Sequence, residues 1–131
     1  MSRSPRAGTR RVAVAWLLVV AYGALITALS SLDKPPIPEG LQTTPGTLAL
    51  HVVEFAGFAF LLFQALVRNR PGWSVGRVVL VTIAVTAAFG VLDETHQYFV
   101  PGRCCQAIDV VADTVGGSIA ALLSAVVRRR R

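Results

Sequence analysis

Apolar residues fall in four long runs separated by short polar segments, and their lengths predict helices. Val12 to Leu32 is a stretch of 21 residues without a charge, which at ~1.5 Å per residue matches a hydrocarbon core of ~30 Å. The apolar part of a cleaved signal peptide is usually ~7–15 residues long, so a retained helix is the better reading; either reading starts the chain in the cytoplasm. The prolines of Asp33-Lys34-Pro35-Pro36-Ile37-Pro38-Glu39-Gly40 then break the helix, because they remove donors and clash with the preceding turn, and the loop is expected to reach Thr47. Leu48 to Val67 forms a second span, and Arg68-Asn69-Arg70-Pro71-Gly72-Trp73 a basic turn with Trp73 suited to a membrane interface.

The third span begins near Arg77, but its purely apolar part, Val78 to Leu92, has only 15 residues, or roughly 22 Å of helix. Continuing through Asp93 and His96 to Phe99 supplies the missing length, and Pro101-Gly102 a stop. A polar cluster is therefore expected within the membrane rather than in a free loop. Ile108 to Val127 is the fourth span, and its Gly116, Gly117, Ala120 and Ala121 offer a small surface for close helix packing. The pattern predicts an all-α, integral membrane four-helix bundle in a single domain over 1–131, with helices over about 12–32, 48–67, 77–99 and 108–127.

Composition agrees: 53% of the 131 residues are apolar, and the mean hydropathy is +0.59, above the soluble range. The net charge of +6 could suggest a nucleic-acid partner, but the charge gathers at the ends of apolar runs and not on one soluble face, which excludes that class. Eleven of the 13 basic residues (Arg3, Arg6, Arg10, Arg11, Arg68, Arg70, Arg77 and Arg128 to Arg131) fall in the N-terminal segment, the middle turn and the C-terminus; Lys34 and Arg103 fall elsewhere. The positive-inside rule then places both termini in the cytoplasm. All seven acidic residues and both histidines fall toward the other side. Cys104 and Cys105 are adjacent, a strained geometry for an ordinary bridge, and define no disulfide framework.

Ionisable residues inside a span are costly, about 2.5–3.5 kcal/mol on insertion scales, so they are expected to face a protein interior or a wet cavity. His51 and Glu54 share one face of the second helix, Asp93 and Gln97 one face of the third, and Asp109 and Asp113 one face near the start of the fourth. With Glu94, His96 and the loop residue Arg103 they form a candidate polar pocket at the outer leaflet. Asp109 and Asp113 are expected to face Asp93 and Gln97 across a helix hairpin. Burial would raise carboxylate pKa values and a nearby arginine lower them, a condition for acid–base work and equally for a static hydrogen-bond network. Arg103 suits either a forked grip on a phosphate or carboxylate, or a salt bridge to Asp109 or a lipid headgroup. His, Asp and Glu at helical spacing can also ligate divalent ions, but His51-x-x-Glu54 lacks the spacing of a zinc protease motif, and no metal or other cofactor is assigned.

Asp93-Glu94-x-x-Gln97, then Val100-Pro101-Gly102-Arg103, then Asp109-Val110-x-Ala112-x-Thr114-x-Gly116 resembles the signature of the VanZ-like membrane protein family. The resemblance extends back to Asp33-Lys34 and to His51-x-x-Glu54-Phe55, so it covers most of the chain from Leu32 onward. The family commonly has asparagine where this chain has Asp113. The resemblance implies a small polytopic helical membrane protein and, through the family's namesake, a link to glycopeptide antibiotics such as teicoplanin; it implies no particular reaction. The expected setting is the bacterial cell membrane, with membrane lipids and a lipid-linked or phosphate-bearing envelope component as partners, and a homo-oligomer left open. An acid–base enzyme acting on a lipid-linked substrate and a proton-coupled transporter are the alternatives.

Overall fold

A computed structural model of the chain describes residues 5–103 and 105–130; Arg3, Cys104 and Arg131 lie outside the described residues. The chain forms α1 (Pro5–Ser30), a 3₁₀ turn (Glu39–Leu41), α2 (Thr44–Asn69), α3 (Val75–Tyr98) and α4 (Ala107–Arg129), with no strand among the described residues. All four helices are long and apolar enough to cross a membrane, as the hydrophobic runs require.

The helix ends differ from expectation for local reasons. The first helix starts at Pro5 rather than Val12: proline is tolerated at a first helical position, and the good helix formers Arg6, Ala7, Arg10 and Arg11 carry the helix through Gly8. The second starts at Thr44 rather than Leu48. The sequence predicts a loop as far as Thr47, yet Pro45 is tolerated in a first turn, where its missing donor would have no partner. Thr43 completes that turn by accepting a hydrogen bond from the Gly46 amide at 3.3 Å. Thr43→Ala is therefore expected to cost about 1 kcal/mol, read as a lower midpoint of thermal unfolding in detergent. Ser74 caps α3 similarly, accepting from the Arg77 amide at 3.2 Å, while the preceding turn stacks Arg77 and Arg70 on Trp73 at 4.5 and 5.7 Å from its ring centroid.

The helices run alternately up and down, with α2 packed against each of the other three and most extensively against α4. Small residues set the approach. A Cβ on Gly116 of α4 would collide with the backbone carbonyl of Val52 on α2, and one on Gly117 would lie 2.5 Å from the Thr86 side chain of α3. Tyr22 of α1 lays its hydroxyl over Gly57 of α2. Phe89 joins the helices by stacking on Phe58 at 4.8 Å and leaning on Phe55 at 5.8 Å between ring centroids.

Polarity runs opposite to that of a soluble bundle. Val53 and Leu80 point outward at 69% and 72% exposure, whereas Asp93, Glu94, Gln97, Asp109 and Asp113 are buried. Lipid chains solvate the apolar exterior, so the interior becomes the place for polar groups that need partners. Arg10, Arg11, Arg68 and Arg128 line an open cleft of about 1260 Å³ between α1, α2 and α4, together with mostly apolar side chains. The buried ionisable residues occupy the opposite end of the bundle.

Candidate functional site

The last two turns of α3 and the first two of α4 supply most of the polar cluster, and His51 enters it from α2. The His51 Nδ1 lies 2.9 Å from the Asp113 Oδ1, and its Nε2 lies 3.9 Å from the Asp109 Oδ2. One imidazole thus joins the two aspartates that share a face of α4. Asp113 is fully buried, packed against Gly90 of α3, where a Cβ would lie 2.9 Å from its Oδ2. The absence of a side chain at Gly90 is what lets a carboxylate fit there.

Glu94 and Asp93, adjacent on α3, make different connections. The Glu94 Oε2 accepts the backbone N–H of Gln106 at 2.8 Å. Gln106 is the N-cap of α4 and has no capping side-chain bond of its own, so Glu94 satisfies one of the free donors of the next helix. The Asp93 Oδ2 accepts from the Gln97 Nε2 and from the Ser30 Oγ, each at 2.8 Å. Asp93 hydrogen-bonds Gln97 and Ser30 of α1, and Asp113 pairs with His51, while Asp93 and Asp113 lie within electrostatic reach of one another across the α3–α4 hairpin.

Glu54 and His96 stand apart from the cluster's bonds. Glu54 is half-buried, makes no hydrogen bond among the described residues, and interacts electrostatically with His51 and Arg103. His96 is exposed, its Nε2 2.9 Å from the Ser31 Oγ. Arg103 sits on the α3–α4 turn, where its amide donates to the Val100 carbonyl at 3.2 Å. Gly102 takes φ +81°, a left-handed conformation that glycine adopts without strain. Arg103 is half-buried and forms no salt bridge to Asp109 or any other carboxylate among the described residues. Its Nε is fully covered and has no acceptor among the described residues.

Ser30, Ser31 and Tyr22 were not evident from the sequence. They extend the site to all four helices, with Tyr22 in electrostatic contact with Glu54. A pair of serines at the end of an uncharged run was the only available signal.

Several buried atoms remain without partners among the described residues: Asp93 Oδ1, Glu94 Oε1 and Asp113 Oδ2 in the cluster, Arg103 Nε above it, and Thr86 Oγ1 nearby. Such atoms are rare in folded proteins, and carboxylate oxygens in particular need a donor, a proton or a cation. The cluster can accept a cationic or donor-rich group, and Arg103 can grip an anionic one.

Four membrane-length helices with an ionisable interior at one end define a small multi-pass membrane protein. The chain belongs to the VanZ/LLP1 family, whose family model matches residues 20–128, a stretch containing every residue of the cluster. No curated protein and no solved structure matches the chain.

Proposed function

We propose that the polar end of the bundle faces the outer leaflet of a bacterial cell membrane, with both termini in the cytoplasm, and binds a lipid-linked or phosphate-bearing envelope component. The observation that carries this reading is Arg103: a half-buried side chain, held on a tight turn beside the cluster, whose covered Nε has no acceptor among the described residues. A phosphate oxygen would satisfy that donor and match the planar fork. Orientation rests on the basic residues, because Arg10, Arg11, Arg68 and Arg128 gather around one cleft, and arginine favours the cytoplasmic side. Sequestering such a component would change what glycopeptide antibiotics meet at the cell surface.

Arg103→Ala should weaken binding of a polyprenyl phosphate to the purified protein by about 10- to 100-fold, the value of a charge-assisted bond. The measurement is native mass spectrometry with neutral lipid as the competitor; unchanged binding rejects the assigned role. A second reading, in which the pocket also turns its ligand over, is favoured by the His51–Asp113 pair at 2.9 Å, which suits an imidazole to acid–base work. It requires product formation from polyprenyl-linked substrates that is lost in His51→Gln.

A further inference from the structure

The geometry points to a divalent-cation site within this pocket, formed by the His51 Nε2, Glu94 and Asp109. One ligand atom from each of the three residues lies within 4.8 Å of the others. The spacing between the His51 Nε2 and the Asp109 Oδ2, 3.9 Å, is too long for a hydrogen bond. It suits two ligands on one ion, since bonds of about 2.0–2.2 Å place neighbouring ligand atoms roughly 3–4 Å apart.

The surrounding bonds prepare each ligand. An ionised Asp113 can only accept, so its 2.9 Å contact places the imidazole proton on Nδ1 and leaves the Nε2 lone pair directed at Asp109. A carboxylate behind a histidine is a common second contact at metal centres, where it fixes the ring and raises its basicity. Glu94 is held in the same manner. Its Oε2 is anchored by the Gln106 amide at 2.8 Å, while its Oε1, in a side chain only 2% exposed, makes no hydrogen bond of ordinary geometry among the described residues, the Cys105 thiol interacting with the same carboxylate. That unbonded oxygen is an observation independent of the spacing. Asp93 Oδ1 and Asp113 Oδ2 are likewise unbonded among the described residues, but of these three carboxylates only Glu94 belongs to the group with His51 and Asp109.

Charge leads to the same place. Glu94, Asp109 and Asp113 converge on one imidazole, and a proton on that ring would offset only one of them. A divalent ion would offset two carboxylates and leave His51 neutral. One nitrogen and two carboxylate oxygens suit Mn²⁺ or Zn²⁺ better than Mg²⁺ or Ca²⁺, which prefer all-oxygen shells. Three protein ligands leave a coordination position open, as at metal sites that take a water or substrate oxygen. The inference deepens the headgroup-binding reading and rests on it only for the fourth ligand, a phosphate oxygen shared between the ion and Arg103.

The test uses the full chain, stripped of metal and placed in nanodiscs of neutral lipid. Mn²⁺ binding is followed by loss of the free-ion paramagnetic resonance signal, and Zn²⁺ binding by competition with a chromophoric chelator. The expected result is one ion per chain, with affinity lowered at least tenfold in Glu94→Gln and in Asp109→Asn. Asp113→Asn keeps an acceptor for the ring N–H and should weaken binding less than either. Glu94→Gln also keeps an acceptor for the Gln106 amide, so its unfolding temperature without metal should equal that of the native chain, while added ion should raise only the native value. No uptake of either ion at about 1 mM, or equal uptake by Glu94→Gln, overturns the site. Polyprenyl phosphate binding with no bound ion would overturn the cation site and leave the headgroup reading standing. Ion binding without any Arg103-dependent phosphate binding would do the reverse.

Discussion

Gly116→Leu is expected to separate α2 from α4 and leave little folded protein. Even a Cβ at this position would run into the Val52 carbonyl, and the obstruction is backbone, which cannot turn aside as a side chain does. Overpacking a well-filled interior costs about 1–3 kcal/mol and sometimes more; a leucine here, pressed on helix backbone in the most extensive interface of the bundle, should exceed that range. Gly116→Ala should already lower stability measurably in a mixed-micelle unfolding titration. Gly117→Ala should cost less, since its new methyl meets the side chain of Thr86 at 2.5 Å rather than helix backbone. Gly76→Ala, with nothing within 4 Å of the added carbon, serves as the control. Equal stability of Gly116→Ala and Gly76→Ala would show that the two helices do not approach this closely.

The second large effect is expected on removing His51. His51→Ala would leave Asp113, fully buried, with neither oxygen bonded. Breaking a buried pair from one side costs roughly 3–5 kcal/mol, and the lower end applies here because the His51 side chain keeps 15% exposure and because Asp113 can take up a proton to discharge itself. His51→Ala combined with Asp113→Asn should be more stable than His51→Ala alone, since the amide carries no charge to strand. That reversal of sign between the single and double variants identifies the coupling. If the two changes were simply additive, the 2.9 Å contact would not be an energetic one.

Much of this architecture can be read from the chain. The 15-residue apolar part of the third run is too short to cross a bilayer, and that shortfall predicts a helix continued through Asp93 and Glu94, which are found helical and buried within the bundle. Helical spacing also gives the Asp93–Gln97 bond. It cannot name partners across the fold. Ser30 and Ser31 meet residues 63 and 65 positions later, and nothing local distinguishes a serine that ends a span from one that reaches into a polar site. His51 and Glu54 share a face, yet only His51 reaches the α4 aspartates with its side chain. The start of α2 lies ahead of the apolar run that marks the span, because the Thr43 cap and Pro45 build its first turn.

The bond from the Gln106 amide to Glu94 makes one proton on the chain a spectroscopic window on the interior. Its nuclear magnetic resonance shift and its rate of exchange with deuterated water depend on the charge of the carboxylate that holds it, and the amide belongs to the first residues of a helix rather than to the cluster itself. Titrating any ligand against that single resonance would follow the chemistry of the pocket from outside it, with no label placed among its side chains.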